Sequence, residues 1–252
     1  MPVETISADL KANLRRLRLS PMLETMPERL ALAKQQKLPY QEFLEILLSD
    51  EISRRDRIST DLRAKAARLD PTMRVEAWDD TSAVNFDQQL WGELTTLRFL
   101  EDNQNVIIMG PVGVGKTFMA NALGYVACRR RCSVMFYRTD RMLKRLKAAR
   151  LDQSYESEMK KLIRVDLLIL DDFGLHSFDP TETQDIYEIV VERHLRSSTV
   201  ATSNRDPSEW LGVMADPLLA QSAVDRLQSA AYELVVEGES YRRRQKPGRK
   251  TL

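Results

Sequence analysis

The segment Gly110-Pro111-Val112-Gly113-Val114-Gly115-Lys116-Thr117 limits what this chain can fold into more than any other. It fits G-x-x-x-x-G-K-[ST] in full. The short apolar run Val106–Met109 precedes it, and Phe118, Met119, Ala122, Leu123 and Val126 follow at helical spacing. A glycine-rich turn between a strand and a helix lets backbone N–H groups point inward as a nest for phosphate oxygens, and the helix N-terminus adds positive potential. Lys116 is then placed to neutralise β- and γ-phosphates, and Thr117 to put its hydroxyl on Mg²⁺.

The chain around this loop alternates between two periodicities. Short apolar runs at Val106–Met109, Ser133–Tyr137, Leu167–Leu170 and Thr199–Thr202 are separated by amphipathic stretches, one from Asp140 to Arg150 and one over about residues 181–196. Asp179-Pro180-Thr181-Glu182 opens the second with an N-cap, a proline at N1 and a capping-box acid. Such alternation predicts an α/β fold, a buried parallel sheet with helices on both faces. Residues 1–70 differ. Leu10, Leu14 and Leu17, then Phe43 with Leu47, Leu44 with Leu48, and Ile52, recur at helical spacing. Pro21, Pro27 and Pro39 should divide them into short helices, the last beginning near Pro39 and running to Arg57. The expected organisation is a helical domain at 1–70, a linker at 71–82, the α/β domain at 83–240 and a basic tail at 241–252.

Composition excludes several classes. With 252 residues, 43% of them hydrophobic, the chain can build a real core. Its longest apolar runs are four to five residues, too short to span a bilayer. The first twenty residues have no apolar h-region, so no signal peptide is expected and a cytoplasmic protein is. Cys128 and Cys132 lie four apart on a predicted helix, a poor frame for a disulfide, and reduced thiols are expected. His176 and His194 lack partners at metal-ligand spacing.

A second chemical signal is Val165-Asp166-Leu167-Leu168-Ile169-Leu170-Asp171-Asp172, about 55 residues past the phosphate loop. Ligands of open α/β sheets bind at the carboxyl ends of strands, so both carboxylates should face the phosphates. Asp171 would hold Mg²⁺, and Asp172 would orient or deprotonate the attacking water. A third is Thr202-Ser203-Asn204, with Asn204 lying 32 residues beyond Asp172. A neutral amide there can hydrogen-bond the γ-phosphate and the water without adding charge.

In this order, a Walker A loop at 110–117, a Walker B strand at 167–172 and a sensor Asn204 resemble an AAA+ ATPase. The sequence is more specifically similar to the IstB family of transposition helper ATPases, relatives of the DnaC helicase loaders. That resemblance extends over Tyr40–Glu45 and Glu51–Arg55, Leu170–Gly174, Thr202–Asn204 with Trp210, Asp225-Arg226-Leu227 and Gly238-Glu239-Ser240-Tyr241-Arg242. It implies a RecA-like AAA+ domain, and the few residues after Arg226 leave no room for a large lid. It implies ATP and Mg²⁺ as cofactors, with Gly110 to Thr117 and Phe118 binding the nucleotide. It implies that Arg226 is an arginine finger reaching the ATP of a neighbouring subunit, which would make activity depend on assembly into a homo-oligomer. Arg242 would be a sensor-2-like phosphate contact. One position departs from the general AAA+ pattern: Asp172 stands where most members have Glu. The shorter carboxylate predicts slow hydrolysis stimulated by DNA or a partner.

Net charge is only +1, but it is segregated. Residues 129–150 hold nine basic residues against the single acid Asp140, and the tail from Tyr241 holds six with no acid. On the predicted helix Arg141, Lys144 and Arg145 share one side, with Lys147 one turn on, while Met142, Leu143 and Leu146 can face the core. Such a face can track a duplex DNA backbone without reading bases. Residues 1–80 are neutral and suit protein contacts, to further copies or to a transposase. The leading expectation is an ATP-dependent DNA-binding helper that oligomerises on duplex DNA and activates or targets a transposase. The rivals are a DnaC-like helicase loader, a nucleotide-gated DNA-bending scaffold with little hydrolysis and, more distantly, a P-loop kinase.

Overall fold

The computed structural model describes residues 6–78 and 84–241. They divide into two compact units, with the boundary between Asp61 and Leu62. The first unit holds α1 (Ala8–Arg16), α2 (Met22–Gln36) and most of α3 (Tyr40–Ala66). Ser7 caps α1 by accepting from the Leu10 N–H. Leu14, Met22, Met26 and Leu47 form the core, with Leu30 and Phe43 packed at its edge. The helices are longer than the prolines predicted. Pro21 and Pro39 do sit at helix starts, but Pro27 lies inside α2. An interior proline costs about 3 kcal/mol. Here the buried Met22 and Met26, on the turn before it, hold the helix against the core. Likewise α3 passes Arg57 and runs to Ala66, since no Gly or Pro interrupts it; the chain turns at Arg68, whose φ is 66°.

The second unit begins inside α3. Ala64, Ala67 and Leu69 are buried in its core. The Ala67 carbonyl accepts from Phe136 N, and Asp70 N donates to Asn121 Oδ1. So residues expected to close the helical domain, and part of the 71–82 stretch, pack on the α/β unit; residues 79–83 lie outside those described. Next come β1 (Val84–Asn85), α4 (Gln88–Thr95), α5 (Arg98–Glu101), β2 (Asn105–Met109), α6 (Lys116–Arg129), β3 (Val134–Arg138), α7 (Thr139–Leu151), α8 (Tyr155–Arg164) and β4 (Leu167–Asp171). After them lie α9 (Pro180–Arg193), β5 (Ser198–Ser203), α10 (Pro207–Trp210), α11 (Pro217–Ser229), β6 (Ala231–Val235) and β7 (Glu237–Gly238).

Five strands form one parallel sheet in the order β3-β4-β5-β2-β6. Residues alternate between its faces. Leu168 and Leu170 join a core with Met142, Leu146, Met159, Ile186 and Leu227 under α7, α8, α9 and α11, while Leu167 and Ile169 join Leu94, Phe99, Met119 and Leu123 on the other side. Burial on both faces explains why β2 and β4 read as nearly unbroken apolar runs, while β5, equally buried, carries small Ser, Thr and Ala side chains around Val200. The capping box on α9 forms as predicted, with Asp179 and Glu182 each bonding the other's main chain. Cys132 differs from expectation: α6 ends at Arg129, Arg131 has a positive φ, and Cys132 lies past the helix. Both thiols are free, and burial raises that of Cys128 to about 11.

At the amino end of the sheet, Arg193 is only 1% exposed. Its guanidinium donates to the carbonyls of Leu162 at 2.8 Å, Ile163 at 3.1 Å and Val165 at 2.7 Å, and to Ser198 O. It also reaches Thr199 Oγ1 at 3.1 Å. One side chain thus closes the end of α8 and ties the starts of β4 and β5 together.

Candidate nucleotide site

The site stands at the opposite, carboxyl end of the sheet, where β2, β4 and β5 finish side by side. The loop from Gly110 to Gly115 leaves β2 and enters α6. Its conformation needs glycine at two places for separate reasons. Gly110 has no room for a side chain, because a Cβ would collide with the Val236 carbonyl. Gly113 has φ of 88°, in the left-handed region, and a Cβ there would meet the Ser240 hydroxyl. Pro111 and Val112 are exposed at the tip, while Val114 is buried and anchors the loop. Gly115 N-caps α6, and Phe118 turns its ring edge-on to Trp78 at 5.3 Å.

Lys116 is 6% exposed and donates from Nζ to the carbonyls of Gly110 at 2.7 Å and Pro111 at 2.6 Å. Across the loop, Thr117 Oγ1 donates to Asp171 Oδ1 at 2.8 Å. Asp171, 3% exposed, also accepts from Thr202 Oγ1 at 2.6 Å. Burial pushes this carboxyl above its ordinary value, against the pull of both hydroxyls, and the neighbouring Asp172 pushes it further. A buried carboxylate with hydroxyl neighbours is a hard-oxygen donor set, which suits Mg²⁺ rather than a soft metal.

Asp172 has φ of 56°, and its N–H donates to Thr202 Oγ1 at 3.0 Å. Its carboxylate lies 3.6 Å from the Arg138 guanidinium at the end of β3. Thr202 therefore links the two acids. The sequence marked the Thr202–Asn204 segment but gave the role to Asn204. The signal for Thr202 lies in the register of β4 against β5, where Leu170 faces Ala201 and so brings the next residues, Asp171 and Thr202, together. Asn204 sits one residue beyond β5, exposed, beside Ser203, whose carbonyl accepts from Gly110 N.

The other predicted residues are placed apart from this cluster. Arg226 lies on α11, half-buried, and donates to the Ser222 carbonyl at 2.9 Å and to its hydroxyl. Arg242 lies outside the described residues. On α7, Met142, Leu143 and Leu146 do face the core, and the basic residues are outward. Acids meet most of them. Arg145 pairs with Glu158 at 2.6 Å, Lys147 with Asp179 and Glu182 at 2.6 and 2.7 Å, and Lys144 more loosely with Asp140 at 3.7 Å. Arg141 is exposed. A cavity of about 300 Å³ between α7 and the loop after β4 is lined by Arg138, Asp140, Lys144, Asp172, His176 and Glu182.

The sheet order, the phosphate loop and the acids at the end of β4 define an AAA+ nucleotide-binding domain. Solved structures agree on the fold. The DnaC helicase loader superposes with a TM-score of 0.56 over 66% of this chain and 97% of its own, at 19% identity. AMPPCP-bound DnaA from Aquifex aeolicus gives 0.54 over 66% of this chain and 50% of its own, at 22% identity. By sequence, residues 12–248 match the family described as IstB-like ATP binding protein. A Mycobacterium tuberculosis protein named as an ATP-binding protein in an insertion sequence is 36% identical, covering 96% of this chain and 97% of that protein. The insertion sequence IS21 ATP-binding protein of Pseudomonas aeruginosa is 32% identical, over 94% and 90%. The chain belongs to the IstB-like ATP-binding family.

Proposed function

We propose that this protein is a slow, DNA- or partner-stimulated ATPase that assembles on duplex DNA and activates or targets a transposase. The observation that carries the ATPase reading is the chain of contacts Thr117–Asp171–Thr202–Asp172 facing the phosphate loop. Thr117 and Asp171 would hold Mg²⁺, which, when bound, neutralises charge on the phosphates. Lys116 would leave its loop carbonyls for the β- and γ-phosphates, and Asp172 would orient the water and accept its proton. Asn204 would hydrogen-bond the γ-phosphate and that water. The pairing of Asp172 with Arg138 supports slow basal turnover, because the carboxylate must leave this contact before it can engage the water.

Arg226 would act on the ATP of the next subunit in an oligomer, and the helical unit at 1–61 would carry the protein contacts. The transposase is the favoured partner because the insertion-sequence relatives match over nearly the whole chain, whereas the DnaC likeness is one of fold. For DNA, Arg141 and Lys144 are the leading contacts on α7, since carboxylates hold Arg145 and Lys147 at 2.6–2.7 Å whereas Lys144 meets Asp140 only at 3.7 Å. Hydrolysis measured with and without duplex DNA tests the reading. Wild type should be stimulated, Asp172→Asn should bind ATP yet stay inactive, and Arg141→Glu with Lys144→Glu should lower the salt slope of DNA binding by about 2. Equal turnover by Asp172→Asn, or a DNA affinity indifferent to salt, would overturn it.

A further inference from the structure

The motif Gly238-Glu239-Ser240-Tyr241 has no part in the chemistry described above, yet it lies on the phosphate loop. The contact begins one step earlier. Val236, buried at 0% exposure, extends the edge-strand pairing by donating its N–H to Met109 O at 2.7 Å. Its own carbonyl occupies the space that a side chain on Gly110 would need. The chain then pairs through β7 with β1, Val84 opposite Gly238 and Asn85 opposite Glu237. It returns to the loop at its crown. There Ser240 lies against Gly113, and the Tyr241 N–H donates to the Gly113 carbonyl at 2.9 Å. One short segment thus holds the loop at both its start and its middle.

Geometry at Gly113 gives this contact a consequence. A nest presents N–H groups inward only while the intervening carbonyls point away. The Gly113 carbonyl is the one held by Tyr241 N–H, from outside the loop. From this we infer that Ser240 and Tyr241 are positioning residues of the phosphate loop: they fix the Gly113 peptide so that the nest is formed before nucleotide arrives. The inference rests on the ATP-binding reading above. Pre-forming the nest lowers the ordering cost of binding, so it acts on affinity for the phosphates and not on the chemical step.

The decisive variant is Tyr241→Pro, which deletes the single N–H concerned, set against Tyr241→Ala, which keeps it. Full-length proteins are compared by ATP hydrolysis and by displacement of a fluorescent ATP analogue with ATP and with tripolyphosphate. Tyr241→Pro should raise the KM for ATP about tenfold, the upper reach of one hydrogen bond, with kcat at saturation unchanged. Tripolyphosphate should weaken by the same factor, because the latch acts on the phosphate nest and not on the base. Tyr241→Ala should stay within about twofold on the same scale. Ser240→Leu, which adds bulk against Gly113 and leaves every main-chain donor intact, should reproduce the loss and serves if the proline variant melts early. Wild-type affinity in both Tyr241→Pro and Ser240→Leu overturns the inference. So does equal loss in Tyr241→Ala, or loss for ATP with tripolyphosphate unaffected. Failure of the wild type itself to bind the analogue would instead refute the ATP-binding reading.

Discussion

Two buried cations sit at opposite ends of one sheet, and each donates to main-chain carbonyls. Arg193 closes the amino end, 1% exposed, and Lys116 lies in the phosphate loop at the carboxyl end, 6% exposed. They differ in what they bind. The carbonyls under Arg193 belong to the end of α8 and the starts of β4 and β5, elements fixed by packing on both faces. Those under Lys116 belong to a loop with an exposed tip. The first arrangement ties rigid parts together, while the second holds an ammonium on a loop, from which the proposed ATPase reading would have it move to an incoming phosphate. On that reading the same chemistry serves structure at one end and function at the other.

The sharpest way to break that contrast is to remove each cation. Arg193→Met should lower unfolding free energy by about 3–5 kcal/mol, since several buried carbonyls lose their donors together. Urea denaturation would measure it. Lys116→Ala should cost less than about 1 kcal/mol of stability but weaken ATP binding about 100-fold, as loss of a charge-assisted contact to phosphate implies. If Lys116→Ala proved the more destabilising, the division of labour between the two ends would be wrong.

A smaller effect probes the carboxyl end alone. Thr202→Val keeps shape and removes the hydroxyl that joins Asp171 Oδ1 and Asp172 N–H. Steady-state hydrolysis should show kcat falling about tenfold with ATP affinity within about threefold, because both acids are misaligned while the loop is untouched. A loss confined to KM would place Thr202 with the phosphate loop instead.

Much of the site was legible because its parts are local in sequence. The loop from Gly110 to Thr117 and the run ending in Asp171 and Asp172 each carry their own signature, and both lie where a strand ends. Four of the five sheet strands were likewise visible: β2 and β4 as continuous apolar runs buried on both faces, β3 and β5 as short runs rich in β-branched and aromatic residues. The fifth, Ala231–Val235, was not, since it is a half-exposed edge strand in which Glu233 interrupts an already short run. The contacts of Thr202 and Tyr241 escaped for another reason: they come from strand adjacency and chain return, which no local pattern encodes. The length of α2 escaped because buried Met22 and Met26 outweigh the Pro27 penalty only once the bundle exists. The basic stretch at 129–150 shows what a local count leaves out. Its count of charges was right, but Glu158, Asp179 and Glu182 answer several of them from distant parts of the sequence.

That last pairing leads to the smallest predicted effect. Arg145 and Lys161 both bond Glu158, and the Arg145 hydrogen bond does most to hold its carboxyl down at about 2. A depressed carboxyl stabilises the fold above its unfolded value and loses that contribution as pH falls through the native one. The window is thus between about 4.5 and about 2. Because Arg145 is 44% exposed, solvent screening limits the contribution to about 1 kcal/mol. Asp171 has the opposite sign, since a raised carboxyl favours the fold at low pH and opposes it as pH rises. Urea midpoints of wild type and Glu158→Gln should therefore differ at pH 6, draw together below about pH 4.5 and converge near pH 2. A constant difference across that range would mean that Glu158 acts by packing, and that α7 would lose little by exchanging its acid partners for DNA phosphates.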